Sequence, residues 1–110
     1  MQEQNPYAVF LNEAPQAAKA FDGLIQAVCA TGGLDARTRQ LVYIGIKASQ
    51  GDAAAVAAHV PMAKQAGATR EEILGSVVLT LTVSGVSGVV KCLAPAMEAY
   101  DRCEGKESHS

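Results

Sequence analysis

The sequence predicts a single all-α domain of five to six helices, and three observations support this prediction. Alanine is abundant while aromatic residues make up only 5% of the chain. This composition favours helices, because alanine has the highest helix propensity and strands are enriched in aromatic residues. Apolar residues recur at helical spacing in several segments. The run from Thr69 to Glu72 is a capping box, a pattern typical of helix N-termini.

A chain of 110 residues has the length of one domain, which we expect to span residues 1–110. The segments 1–6 and 104–110 are expected to be flexible, the second because it is polar. A domain of this size lies at the small end of the range that buries a stable core alone, so association with further copies often helps.

The first long helix is predicted to run from Pro15 to about Ala30, after a shorter helical or irregular segment over residues 7–12. Pro15 suits a first helical turn, where a missing backbone N–H leaves no partner unsatisfied. Gly32 and Gly33 end this segment. The apolar positions with helical spacing are Ala17, Phe21, Leu24, Ile25 and Val28.

The second and third helices are predicted from their ends. Asp35 is the expected N-cap of the second helix, because its carboxylate can accept a hydrogen bond from a free backbone N–H of the first turn. Gln50 and Gly51 end that helix. Asp52 is the expected N-cap of the third helix, which we predict to run to about Ala66.

Pro61 lies inside the third helix, where it removes one backbone hydrogen bond and is expected to bend the helix near His59. A fourth helix is predicted over residues 70–83 and a last one over Ser87–Arg102, with a break at residues 84–88.

The fourth and last helices are apolar on almost every side over residues 76–94, which span the break between them. A monomer of 110 residues offers few places to bury all of these faces. We therefore predict that part of this surface contacts another subunit. A hairpin buried entirely within one chain is the alternative.

The distribution of charge and hydropathy argues against several classes of partner. The chain carries 9 basic and 11 acidic residues, and they form no basic stripe, so no nucleic-acid partner is expected. The N-terminus lacks the charged start and apolar run of a signal peptide. The longest apolar stretch, residues 77–93, is interrupted by polar residues and by Lys91, so we expect no membrane span.

The cysteines and histidines predict neither a metal site nor a cofactor. Cys29, Cys92 and Cys103 form no Cys-x-x-Cys pair and no metal spacing. His59 and His109 are too few to make a metal site by themselves. We expect a cytoplasmic protein with three reduced thiols.

His59 is the candidate catalytic residue, because an imidazole with a usual pKa of about 6.5 suits proton transfer near neutral pH. It shares a face of the third helix with Asp52 and Met62. About 10 Å of helix separate Asp52 from His59, which is too far for a hydrogen bond, although both can line one pocket. The alternative is a half-buried structural histidine bonded to a backbone carbonyl.

Several segments resemble the carboxymuconolactone decarboxylase and alkyl hydroperoxidase D (AhpD-like) family over about residues 10–101. They are LDARTRQL at residues 34–41, the spacing from there to His59, AGATREEI at 66–73 and AMEAYD at 96–101. The resemblance implies the AhpD-like all-α fold, usually assembled as a homotrimer or homohexamer. It also implies one of two chemistries, namely peroxide or disulfide reduction by paired cysteines, or cofactor-free decarboxylation of a lactone acid.

The residues of the family's thiol chemistry are absent from this chain. Asp52 and Ala55 stand where the redox members have paired cysteines, and Gln40 stands where they have a relay glutamate, so only His59 matches. Because a thiolate is the nucleophile in peroxide reduction, the sequence favours non-thiol acid–base chemistry, of the lyase or decarboxylase type, on a small carboxylated substrate. The alternatives are a non-catalytic oligomeric scaffold and, less favoured, an AhpD-type peroxidase or disulfide reductase.

Gln40, Tyr43 and Lys47 share one face of the second helix and, with Asp52, are the candidate substrate-binding residues. An amide, a phenol and an ammonium group on one stripe can bind a carboxylate. Alternatively, Gln40 is an ordinary surface residue and Lys47 extends from a buried helix to solvent. Lys91 has apolar neighbours, so it either points out of a subunit interface or supplies positive charge to a cleft.

Overall fold

The computed structural model describes residues 5–103, and all regular secondary structure in this range is helical. Six helices have eight residues or more and one is a single turn, which confirms the predicted all-α class. The helices are α1 (Pro6–Glu13), α2 (Pro15–Ala30), α3 (Ala36–Ser49), α4 (Ala53–Gln65), α5 (Arg70–Val78), α6 (Leu81–Ser84) and α7 (Ser87–Arg102).

The chain divides after Gly33 into two compact units, and the first contains α1 and α2. The Asn5 side chain caps α1 by accepting a hydrogen bond from the Ala8 backbone N–H at 3.1 Å. The Phe10 ring packs edge-on against that of Phe21, with 6.2 Å between ring centroids. The ends predicted to be flexible lie outside the described residues except for Asn5 and Pro6, and the single-domain assignment stays a prediction.

The second unit contains α3 to α7 around a core of small and medium-sized apolar side chains. Helix α4 packs against both α3 and α7, and α5 also packs against these two helices. Alanine and valine fill most of the core, so the helix backbones lie close together. The largest fully buried side chains are Ile44, Ile73, Val56, Val60, Val77 and Cys92.

The helix caps predicted from the sequence form in the second unit. Asp35 accepts from the Thr38 backbone N–H at 2.8 Å, and Asp52 accepts from that of Ala55 at 3.1 Å. The capping box is complete, because Thr69 Oγ1 accepts from the Glu72 N–H and the Thr69 N–H donates to the Glu72 carboxylate. The starts of α3, α4 and α5 are therefore determined by local hydrogen bonds that the sequence shows directly.

The predicted fourth helix over residues 70–83 is wrong at its C-terminal half. Helix α5 ends at Val78, a turn follows, and α6 is a separate four-residue helix. The reason lies at Thr80, whose backbone N–H and side-chain hydroxyl both bond the Val77 carbonyl, at 3.1 and 2.6 Å. Bonds to the third preceding residue tighten the chain and interrupt the α-helical pattern.

Side-chain contacts at the ends of α3, α5 and α7 link the helices of the second unit. Arg37 of α3 pairs with Glu72 of α5 at 2.6 Å. Arg70 of α5 forms two hydrogen bonds with Asp101 of α7, at 2.8 and 3.0 Å. The Tyr100 hydroxyl donates to the Ala68 carbonyl at 3.0 Å. These contacts lie at one end of the bundle.

Within residues 5–103, no helix is both long and apolar enough to cross a membrane.

We predict that Gly88→Ala lowers the free energy of unfolding by about 1–3 kcal/mol, the usual cost of overpacking. A Cβ at Gly88 would overlap the carbonyl oxygen of Ala48, so α7 and the end of α3 would have to separate. Denaturant unfolding at one fixed protein concentration measures the change. Gly75→Ala is the matched control, because a Cβ there meets no atom within 4 Å; it should raise the stability by about 0.5–1 kcal/mol. Equal effects of the two changes would contradict the close approach.

Candidate active site

The packing of α3 against α4 brings together the five residues that the sequence singled out. Their side chains form a continuous series of contacts in the second unit. The series runs Gln40, His59, Tyr43, Lys47 and Asp52. Three of these residues come from one face of α3, one is the N-cap of α4 and one lies on α4. Sequence spacing placed them on two separate helices, and tertiary packing joins them.

The His59 ring is hydrogen-bonded to a side chain on the neighbouring helix. Its Nδ1 atom lies 2.8 Å from Gln40 Oε1. An amide oxygen accepts hydrogen bonds and cannot donate them, so Nδ1 carries the proton and donates. In the neutral ring the lone pair is then on Nε2. The sequence alternative, a histidine bonded to a backbone carbonyl, is therefore not the arrangement found at Nδ1.

Tyr43 fixes the plane of the His59 ring. The two rings stack with centroids 3.8 Å apart and an angle of 24° between their planes. Tyr43 follows Gln40 by three residues on α3, so the two side chains lie on the same helix face. Gln40 is hydrogen-bonded to the edge of the imidazole, and Tyr43 covers its face. This pair limits rotation of the ring and points Nε2 in a defined direction.

Lys47 connects the histidine pair to the start of α4. Its Nζ lies 6.0 Å from the centroid of the Tyr43 ring, at the outer limit of a cation–π contact, and 3.6 Å from Asp52 Oδ2. The Asp52 carboxylate also caps α4 through Ala55. The Lys47 and Asp52 side chains are 30% and 41% exposed, and exposed ion pairs are weak. A ligand carboxylate could therefore compete for Lys47.

The environment of His59 lowers the pKa of its imidazole below the usual 6.5. Partial burial is the larger cause, because it disfavours the charged ring, and the positive charge of Lys47 acts in the same direction. The ring is consequently neutral at pH 7, with its lone pair on Nε2. A neutral, oriented imidazole is the form that accepts a proton in general base catalysis.

A separate cavity lies on another face of α3, and His59 does not line it. It has a volume of about 360 Å³ and is bordered by apolar side chains of α3, of α6 and of the turn before α6, namely Leu41, Val42, Ile46, Leu79 and Val83. Four hydroxyl side chains also line it, those of Thr38, Ser49, Ser76 and Thr80. Val42 and Ile46, one helical turn apart on α3, are the sequence signal for this apolar surface. The cavity and the histidine site therefore occupy different faces of the same helix.

The cysteines take no part in the site. Cys92 is fully buried, and burial, with the Asp52 charge as a smaller cause, raises the pKa of its thiol. A raised pKa disfavours the reactive thiolate. Cys29 and Cys103 are also free thiols. Within residues 5–103, no three histidine, cysteine or acidic side chains gather as metal ligands.

Comparison with known proteins gives a family match. A model described as the carboxymuconolactone decarboxylase family aligns with residues 15–98, which covers most of the chain. Neither the search of curated proteins nor that of solved structures returned a match. The aligned range contains helices α2 to α6, most of α7 and every residue of the candidate site.

We predict that Gln40→Glu raises the pKa of His59, because a carboxylate 2.8 Å from the ring stabilises the imidazolium form. A histidine NMR titration measures the shift, with His59→Gln to assign the signal against that of His109. Gln50→Glu, at the far end of α3, is the control for net charge and should leave the His59 titration nearly unchanged. An unaltered pKa in Gln40→Glu would contradict the hydrogen bond.

The lowered pKa of His59 in the wild type predicts how the stability of the protein depends on pH. Because His59 has a lower pKa in the folded than in the unfolded chain, the unfolded chain binds more protons in the interval between the two values. The contribution of His59 to the free energy of unfolding is fully present above about pH 6.5 and is lost as the pH falls through the folded-state pKa of His59. Unfolding curves across this interval should show the loss in the wild type and not in His59→Gln.

Proposed function

Because the chain belongs to the carboxymuconolactone decarboxylase family, we propose that it catalyses an acid–base reaction of the lyase or decarboxylase type on a small carboxylated substrate, with His59 as the proton-transfer residue. The observation that carries the proposal is the hydrogen bond of 2.8 Å from His59 Nδ1 to Gln40 Oε1, which leaves the lone pair on Nε2. The coarser assignment, membership of the family, rests on the match over residues 15–98.

The proton transfer takes place at Nε2 of His59. The neutral ring accepts a proton from the substrate, and Gln40 continues to accept the Nδ1–H bond in the imidazolium that results. Burial and the Lys47 charge make this imidazolium more acidic than usual, so it returns the proton readily. One ring can therefore act first as general base and then, as the imidazolium, as general acid.

Lys47 is the proposed partner of the substrate carboxylate. Its ammonium group lies between the Tyr43 ring and Asp52, so a carboxylate bound there would place the substrate beside the stacked His59 ring. The positive charge would also stabilise negative charge that develops on the substrate during proton removal or loss of CO₂. Asp52 holds the start of α4 and orients Lys47, which makes it a positioning residue.

The proposal excludes the thiol chemistry of the AhpD-like members on grounds of residue type. Asp52 and Ala55 occupy the places of the paired cysteines, and neither side chain can form the thiolate that attacks a peroxide. The amide of Gln40 likewise cannot relay a proton as a glutamate does. A reducing, cytoplasmic setting is part of the proposal, since Cys29 and Cys92 are free thiols.

A second candidate function is a non-catalytic oligomeric scaffold that keeps the family fold. One observation favours it: a 360 Å³ cavity of the second unit is bordered mainly by apolar residues and not by His59. The catalytic proposal is preferred because the histidine has a polar side-chain partner, Gln40, and a fixed ring plane, neither of which a scaffold requires.

We predict that His59→Ala lowers kcat/KM at least about 100-fold on any carboxylated substrate found by screening, the usual range for loss of a general acid or base. The screen should use small carboxylates and lactone acids, with release of CO₂ and loss of substrate absorbance as signals. Gln65→Ala, an exposed position at the end of α4, is the control and should keep full activity.

The wild-type protein should show no turnover of peroxide with a dithiol reductant. Sustained peroxide reduction would contradict the proposed chemistry. Survival of lyase activity in His59→Ala would contradict the proposed site, and absence of activity across the whole panel would favour the scaffold.

We further propose that the chain forms a homo-oligomer, a homotrimer or homohexamer as the family resemblance implies, through the surface of the α5–α7 region. Val83 and Val90 are 74% and 72% exposed, and Leu79 and Val86 are also mostly exposed. Such a concentration of exposed aliphatic side chains is costly in water and is typical of an interface between subunits.

Light scattering should give a mass that is a multiple of 11.4 kDa for the wild type. Val83→Glu should shift the protein towards the monomer, because an interface would bury the added charge without a partner. Gln65→Glu adds the same charge at an exposed position of α4 and should leave the mass unchanged. A monomeric wild type at micromolar concentration would rule out this assembly.

A further inference from the structure

The Lys91 side chain lies against the turn that joins α3 to α4. Gly51 occupies this turn with a φ of +73°, a conformation that residues with a Cβ rarely adopt. A Cβ at Gly51 would lie 3.2 Å from Lys91 Cδ and 3.6 Å from Nζ. The ammonium group of Lys91 therefore sits directly beside the Gly51 backbone, next in sequence to Asp52.

The position of Lys91 is fixed by the packing of α7. Gly88, three residues earlier, lies so close to the carbonyl of Ala48 that no larger residue fits. This contact anchors the first turn of α7 on the end of α3, and Lys91 follows one turn later. The sequence left open whether Lys91 points out of a subunit interface or supplies charge to a cleft. The structure places its ammonium group beside Gly51, at the corner between α3 and α4.

This corner carries more positive than negative charge. The Asp52 carboxylate lies 3.6 Å from Lys47, and its charge also raises the pKa of the Cys92 thiol, the residue after Lys91. Lys91 Nζ lies beside Gly51, the residue before Asp52, so this corner holds two ammonium groups and one carboxylate. Within residues 5–103, no carboxylate lies within ion-pair distance of Lys91, whose side chain is exposed.

We propose that Lys91 is a second cationic binding residue of the histidine site and that it binds a carboxylate of the ligand at the corner between α3 and α4. The inference rests on the proposed function for the carboxylated nature of the ligand. Asp52 and His59 are separated by about 10 Å along α4, so a group held at the corner lies at the opposite end of the site from the reacting atoms. Lys91 then contributes to ligand selection, and His59 to proton transfer.

A structural role for Lys91 makes a different prediction. A cation near the C-terminus of α3 is also favoured by the helix dipole, and that contribution would affect folding alone. The experiment must therefore measure ligand binding separately from stability. Lys91→Met removes the charge and keeps most of the stem, whereas Lys91→Arg keeps the charge. Lys64→Met is the control for position, because Lys64 lies about 18 Å along α4 from Asp52. Lys64 Nζ also donates a hydrogen bond to the Tyr100 carbonyl at 3.0 Å, so the unfolding of this variant is measured as well.

Succinate is the probe and neutral succinamide its control, both followed by amide NMR shifts at constant ionic strength. In the wild type, succinate should move the Gly51 and Asp52 amide signals and succinamide should not. Lys91→Met should weaken succinate binding roughly threefold to fivefold, the range for an exposed charge pair, and Lys91→Arg should restore it. Added NaCl should weaken binding to the wild type more than to Lys91→Met.

The outcomes separate this inference from the proposed function. Equal succinate affinity in the wild type, Lys91→Met and Lys64→Met would overturn the role of Lys91 even if His59 proved catalytic. Failure of wild-type Gly51 and Asp52 signals to respond to succinate would overturn it too, and so would a Lys91→Met effect confined to unfolding. Weaker succinate binding in Lys91→Met, in a protein without lyase activity, would support Lys91 as a binding residue and count against the proposed reaction.

Discussion

The close packing of α4 against α3 and α7 is the constraint on which the rest of the structure depends. The buried side of α4 consists of small and β-branched residues, including Val56, Val60 and Ala63, so both neighbouring helices approach closely. His59 is the polar residue in the middle of this helix, whereas Lys64 and Gln65 lie in its last turn. Because it stands next to α3, its ring meets Gln40 and Tyr43, and the polar contacts of the site follow from the packing of small residues.

The same packing brings charged side chains together at the start of α4. At the start of α4, where the redox members of the family carry a thiol, Asp52 caps the helix and holds Lys47. The ammonium group then disfavours the imidazolium form of His59, an effect that adds to burial. In the proposed function this site moves protons near a carboxylate, because neither Asp52 nor Ala55 can form a thiolate.

Much of the fold was predictable because its determinants are local. The bounds of α2 and α7, and the caps at Asp35, Asp52 and Thr69, follow from residues within a few positions of each helix end. The break after α5 was missed because it depends on the hydroxyl and the amide of Thr80 bonding one carbonyl, and the apolar pattern continues unchanged across it.

By itself, the sequence determined the all-α class, the helix starts and the set of polar residues available for chemistry, because propensity, capping and residue type are local properties. Only the tertiary structure decided which of these residues meet. Gln40 became the partner of His59, and Lys91 was placed beside Gly51, because α3, α4 and α7 pack through small residues at close range. Spacing along one helix specifies a face, and the packing of the neighbouring helices specifies what that face contacts.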